Sequence, residues 1–162
     1  MKRLKICLDT SVISHLDAPD ALEKQEDTRK LWKAIQAGEY EAFISPMAVL
    51  ELDNCPEPKR SVLAKQLQEI KYTLLRETDE VIELATQYLE AGILRKKSFD
   101  DCQHIAYACV NNCDMLVSWN FKHMVNIKTI SGVKGVNMLA GYKEMPIYSP
   151  TMLVMGGADD DT

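Results

Sequence analysis

The stretch Leu4-Lys5-Ile6-Cys7-Leu8-Asp9-Thr10-Ser11 constrains this chain more than any other, because an apolar run stops abruptly at a carboxylate followed by two hydroxyls. Leu4, Ile6 and Leu8 fall on one face of an extended segment and Cys7 on the other, which predicts a strand covered on both sides in a parallel sheet. Ligands of open α/β sheets collect outside the carboxyl ends of the strands, where Asp9 would stand. Two readings of Asp9 follow. It is a reactive group at that edge, or it caps the next helix with Thr10 or Ser11 sharing the task.

The 162 residues, 46% of them hydrophobic, predict a single domain over residues 1–150 that closes its core without staples. The apolar runs fall far short of the roughly 20 residues of a membrane helix. Met1-Lys2-Arg3-Leu4 leads into the strand without the pattern of a signal peptide, so no membrane association is expected. Cys7, Cys55, Cys102, Cys109 and Cys113 are odd in number and include no C-x-x-C pair. That argues against a disulfide framework or zinc ribbon and for a reducing cytoplasm. On a helix, Cys102, Cys109 and Cys113 share a face from which His104 turns away, so they read as small core groups.

A net charge of −5 disfavours a general nucleic-acid binder. Removing Asp159, Asp160 and Asp161 takes it to −2, and the body keeps basic clusters at Lys2-Arg3-Lys5, Lys59-Arg60 and Arg95-Lys96-Lys97, so local phosphate contacts stay open. Residues 151–162 read as a flexible acidic tail.

Strands are expected at residues 4–8, 40–45, 114–118 and 146–148. Helices are expected at 11–16, 21–37, 46–55, 58–72, 78–91, 99–112 and 133–139; Ser45-Pro46 is a strong start, with Ser as N-cap and Pro at the first position. Strands alternating with helices imply an α/β fold, a mostly parallel sheet between two helical layers.

Three further residues stand out against that frame. Glu51 has Met47 and Ala48 one turn back, so its carboxylate is out of pattern; it is either partly buried and in need of a cation, or a helix-edge group paired with Lys or Arg. Asp101 completes the S-x-x-D form of a capping box with Ser98, yet shares a helical sector with His104 and Ala108 at the mouth of the sheet. Asn120 ends the strand at 114–118 as Asp9 ends the first. With right-handed crossovers, Asp9, Glu51, Asp101 and Asn120 all reach the carboxyl edge of the sheet.

Taken together, Leu8-Asp9-Thr10-Ser11, Ser45-Pro46 with Glu51, Asp101-Cys102-Gln103-His104-Ile105-Ala106-Tyr107-Ala108 and Ser118-Trp119-Asn120-Phe121-Lys122-His123 resemble the PIN domain family, in particular its VapC-type toxin ribonucleases. The resemblance implies a three-layer α/β/α fold and a Mg²⁺ or Mn²⁺ site held by Asp9, Glu51 and Asp101. Asn120 matches a fourth position at which many members carry Asp. It implies hydrolysis of RNA phosphodiester bonds, a small antitoxin partner with a basic residue in the acidic site, and a homodimer.

Mg²⁺ takes oxygen ligands, keeps several waters and is held by one or two carboxylates with substrate phosphate, which suits Asp9 and Asp101, with Glu51 placing a water or a second ion. Asn120 orients water but adds no charge. Like charges ~4 Å apart repel by about 4 kcal/mol at an effective dielectric near 20, so the site should take up a cation or hold a proton. Ser11, Ser118, Lys122, His123 and the Arg95-Lys96-Lys97 cluster are candidate substrate contacts. His15 and His104 read as helix residues with ordinary hydrogen bonds. Trp32, on the helices from 11 to 37, marks either an antitoxin groove or the core.

A haloacid-dehalogenase phosphatase would need Asp where Ser11 stands, and a P-loop or dinucleotide fold would need glycines after the first strand. The competing reading is a hydrolytically impaired PIN-like module that binds RNA or a protein, for which Asn120 and the acidic charge speak.

Overall fold

The first strand, β1 (Leu4–Leu8), is the middle of a five-stranded sheet in a computed structural model that describes residues 2–95 and 98–158. The chain continues through α1 (Thr10–Ser14), α2 (Leu22–Gln36), β2 (Tyr40–Ile44), α3 (Pro46–Asp53), α4 (Lys59–Leu67) and β3 (Tyr72–Leu74). It then forms α5 (Asp79–Glu90), α6 (Phe99–Val110), β4 (Met115–Val117), α7 (Ile127–Ala140), β5 (Ile147–Tyr148) and α8 (Pro150–Ala158). The order is β3-β2-β1-β4-β5 and every pairing is parallel. This is the expected three-layer α/β/α arrangement.

Alternation along β1 sets the layers. Ile6 and Leu8 pack with Leu31, Trp32 and Ile35 of α2, Ala48 and Leu52 of α3, and Leu63 of α4. Cys7 faces Leu84 and Tyr88 of α5, Ile105 of α6 and Val133 of α7. Trp32 is therefore core, not groove; its indole N–H donates to the Gln66 carbonyl at 3.2 Å. Cys7, Cys102, Cys109 and Cys113 are buried and unpaired, and burial pushes the Cys102 thiol up to about 11.

Three expectations are corrected. The segment from Pro58 does not stay helical to Tyr72: α4 ends at Leu67, and Tyr72–Leu74 forms the exposed edge strand β3. The helix expected at 133–139 begins at Ile127, because the Asn126 Oδ1 accepts the Thr129 N–H at 2.9 Å and caps it six residues earlier. Residues 151–158, assigned to the tail, lie in α8, which packs on α2 through Leu153 and Val154, with a Thr151 hydroxyl bond to Asp27 at 2.7 Å. Residues 159–162 fall outside the described residues. No helix among those described is long and apolar enough to cross a membrane.

Gly132 lets α7 approach the α5–α6 connection. A Cβ there would stand 2.8 Å from Cγ1 of the buried Ile93. Gly132→Ala should therefore cost about 1–3 kcal/mol by overpacking, read as a lower denaturant midpoint, and should cost less in an Ile93→Ala background, where the γ carbons that crowd the new methyl are gone.

Candidate active site

Register brings the chemistry together. Leu8 pairs with Ile44 on one side and Val117 on the other, so β1, β2 and β4 end level and release Asp9, Ser45 and Ser118 side by side. Ser45 caps α3, its hydroxyl accepting the Ala48 N–H at 3.1 Å with Pro46 at the first position. That start carries Glu51 back along the edge to meet α6.

Of the two readings offered for Asp9, the helix cap is seen directly. Its Oδ1 caps α1, accepting the Val12 N–H at 3.2 Å and the Ser11 hydroxyl at 2.5 Å. It is also only 5% exposed, and burial raises its carboxyl above the usual range although His104 and the hydroxyls of Ser11 and Ser118 pull the other way. Glu51 Oε1 accepts from the Thr10 hydroxyl at 2.9 Å and from His104 Nε2–H at 2.7 Å. Burial acts to raise the Glu51 carboxyl, but the bond and charge of His104 with the Thr10 hydroxyl outweigh it and hold Glu51 low. Asp101 Oδ2 accepts from His123 Nδ1–H at 3.1 Å. The Ser98 hydroxyl makes no capping bond, so the expected capping box is not formed and Asp101 turns to the site instead.

His104 is the residue that sequence reasoning passed over. It is buried on α6, and burial acts to lower its imidazole, but the bond to Glu51 and the charges of Asp9, Glu51 and Asp101 outweigh it and raise it. The crowded acids thus favour the protonated form of this imidazole. The helical sector shared by Asp101 and His104 was legible; that α3 would cover it was not.

Asn120 accepts the His123 N–H on Oδ1 at 3.0 Å, and its own N–H donates to the Ser118 hydroxyl at 3.0 Å. Ser118 is fully buried and Ser11 Oγ accepts the Trp119 N–H at 2.9 Å, so these two hydroxyls shape the turn rather than face a substrate. Arg95, Lys122 and His123 line a cleft of about 510 Å³ together with Lys128. Lys96 and Lys97 lie outside the described residues.

Residues 5–122 match the family model described as PIN domain. The chain belongs to the PIN domain family. A solved structure of the same fold, described as VapBC2 from Rickettsia felis bound to a DNA fragment from their promoter, aligns with a TM-score of 0.57 at 14% identity. The alignment covers 90% of this chain and 98% of that one. No curated protein sequence matches.

The donor set of this PIN domain suits a hard divalent cation. Among the described residues, Asp9, Glu51 and Asp101 have no Lys or Arg partner; only the two imidazoles pair with Glu51 and Asp101. No three carboxylate, imidazole or thiolate groups among them enclose an ion by themselves. An octahedral ion that keeps several waters needs only one or two carboxylates and a substrate phosphate. The buried Asp9 carboxylate, bonded only to neutral donors, is where such a charge has most to neutralise.

Proposed function

We propose that this PIN domain is a divalent-metal-dependent endoribonuclease that hydrolyses RNA phosphodiester bonds as the toxin of a toxin–antitoxin pair. One observation carries the reading: acids from three separate elements act on one buried imidazole, Glu51 through a 2.7 Å bond and Asp9 and Asp101 through their charge, and among the described residues no lysine or arginine pairs with them. Asp9 and Asp101 would hold Mg²⁺ or Mn²⁺ together with a substrate phosphate, and Glu51 would place a water of that ion. When bound, the ion supplies Lewis acidity, activating a water for in-line attack on phosphorus and offsetting charge on the leaving oxygen. His104 and Thr10 fix one oxygen of Glu51 and leave the other for the site. His123 orients Asp101, and Asn120 holds His123 through its backbone. Arg95, Lys122 and Lys128 offer charge to the substrate backbone.

The protein partner of this reading is a small antitoxin that places a basic side chain among the acids, with the toxin as a homodimer. Its unpaired cysteines fit a cytoplasmic setting. The test is cleavage of single-stranded RNA by the purified chain in Mn²⁺ and its loss on chelation. A wild type that cleaves nothing while Asn120→Asp cleaves would overturn the reading in favour of the binding module.

A further inference from the structure

The acids have an aromatic neighbour that hydrolysis itself does not use. Phe121, directly after Asn120, is 47% exposed. Its ring meets buried Trp119 edge-on, 6.1 Å between centroids and 66° between planes, and Trp119 in turn tilts against His15 at 5.8 Å. Lys24 of α2 brings its Nζ to 5.5 Å from the Phe121 centroid and 5.7 Å from that of Trp119.

The support under Phe121 is fixed. Trp119 Nε1–H donates to the buried Thr28 hydroxyl at 2.8 Å, tying the turn to α2. The Trp119 backbone N–H donates to Ser11 Oγ, and the Ser11 hydroxyl donates to Asp9 Oδ1. A half-exposed aromatic ring with the Lys24 ammonium over it is thus held two hydrogen bonds from the most buried acid. The cleft of Arg95, Lys122 and Lys128 belongs to the α5–α7 side of the sheet, whereas Phe121 and Lys24 belong to the α2 side. The acids lie at the edge between them.

We propose that Phe121 and Lys24 form a nucleotide subsite of this PIN domain, in which a base of single-stranded nucleic acid stacks on Phe121 and Lys24 meets the adjoining phosphate. The subsite rests on the nuclease reading and adds where the strand lies beyond the bond that is cut. A nucleotide pairs a flat π-face with an anion, and the shelf offers the complement of both. Paired bases cannot present that face, so the subsite selects unstacked, single-stranded substrate.

The experiment measures anisotropy of a labelled single-stranded RNA decamer and of its duplex with the full chain in EDTA, and KM and kcat for the single strand in Mn²⁺. Phe121→Ala should weaken single-strand binding about tenfold or more and raise KM with kcat little changed, leaving the duplex unaffected. Phe121→Tyr should restore binding and Phe121→Leu should not. Lys24→Ala should lower the salt slope of binding by about 0.7. Restoration by leucine as full as by tyrosine would overturn the stacking subsite, leaving an apolar contact with the strand in its place. Wild-type binding and cleavage with no change in Phe121→Ala would overturn the subsite and leave the nuclease reading standing. A wild type that neither binds nor cleaves RNA would overturn both.

Discussion

Asp9→Asn is expected to melt above the wild type while losing cleavage at least ~100-fold, a barrier change of about 2.7 kcal/mol. The two effects share one cause. Asp9 sits almost out of solvent, and its neighbours on Oδ1 are the Ser11 hydroxyl and the Val12 N–H, both of which an amide oxygen can satisfy. Asparagine therefore keeps the cap of α1 and removes a charge that burial opposes, for a gain of about 1 kcal/mol, or roughly 2–4 °C in a domain of this size. The same change removes the charge that a divalent cation would need most. Thermal denaturation in EDTA and cleavage in Mn²⁺ give the two readouts, and a variant that melts lower while cutting normally would contradict both the burial account and the assignment of Asp9.

His104→Ala should do the reverse to stability. It takes away the buried imidazole that bonds Glu51 and whose charged form Asp9, Glu51 and Asp101 favour, and leaves Glu51 with the Thr10 hydroxyl alone. Breaking a fully buried pair costs 3–5 kcal/mol, but the Glu51 side chain is 39% exposed, so about 2 kcal/mol is the expected loss in EDTA. Mn²⁺ should then raise the melting temperature of the variant more than that of the wild type, since an ion binding only the native state stabilises it by mass action. In the wild type the ion competes with an imidazole whose charged form these acids favour. Equal Mn²⁺ shifts in both proteins would show that His104 does not balance these acids.

Much of this molecule is legible in its sequence because its helices carry explicit start signals and its central strand is flanked by charge. Leu4 to Asp9 reads as a central strand because Ile6, Cys7 and Leu8 leave no polar face, and Ser45-Pro46 places Glu51 by helical spacing alone. The edge strand at Tyr72–Leu74 escapes notice because all three residues are exposed, which removes the alternation that marks a strand. Met152 to Val154 read as tail because Gly156, Gly157 and the aspartates follow closely, and only α2 gives those apolar residues somewhere to go. The role of His104 depends on α3 packing against α6, a contact between residues 53 positions apart that no local pattern announces. Phe121 is the opposite case: its neighbours in sequence drew the eye and it did not, because an aromatic in a loop is unremarkable until its exposure beside Trp119 is known.

The turn that carries Asn120 is held from two directions, by the Ser118 hydroxyl within it and by the Ser118 N–H donating to the Tyr148 carbonyl at 2.9 Å. Asp9 is translated early, yet the opposite wall of its cleft gains that second tether only once β5 has emerged from the ribosome. A nascent chain halted before Tyr148 would thus present Asp9, Glu51 and Asp101 beside a turn that still lacks its tether to the last strand.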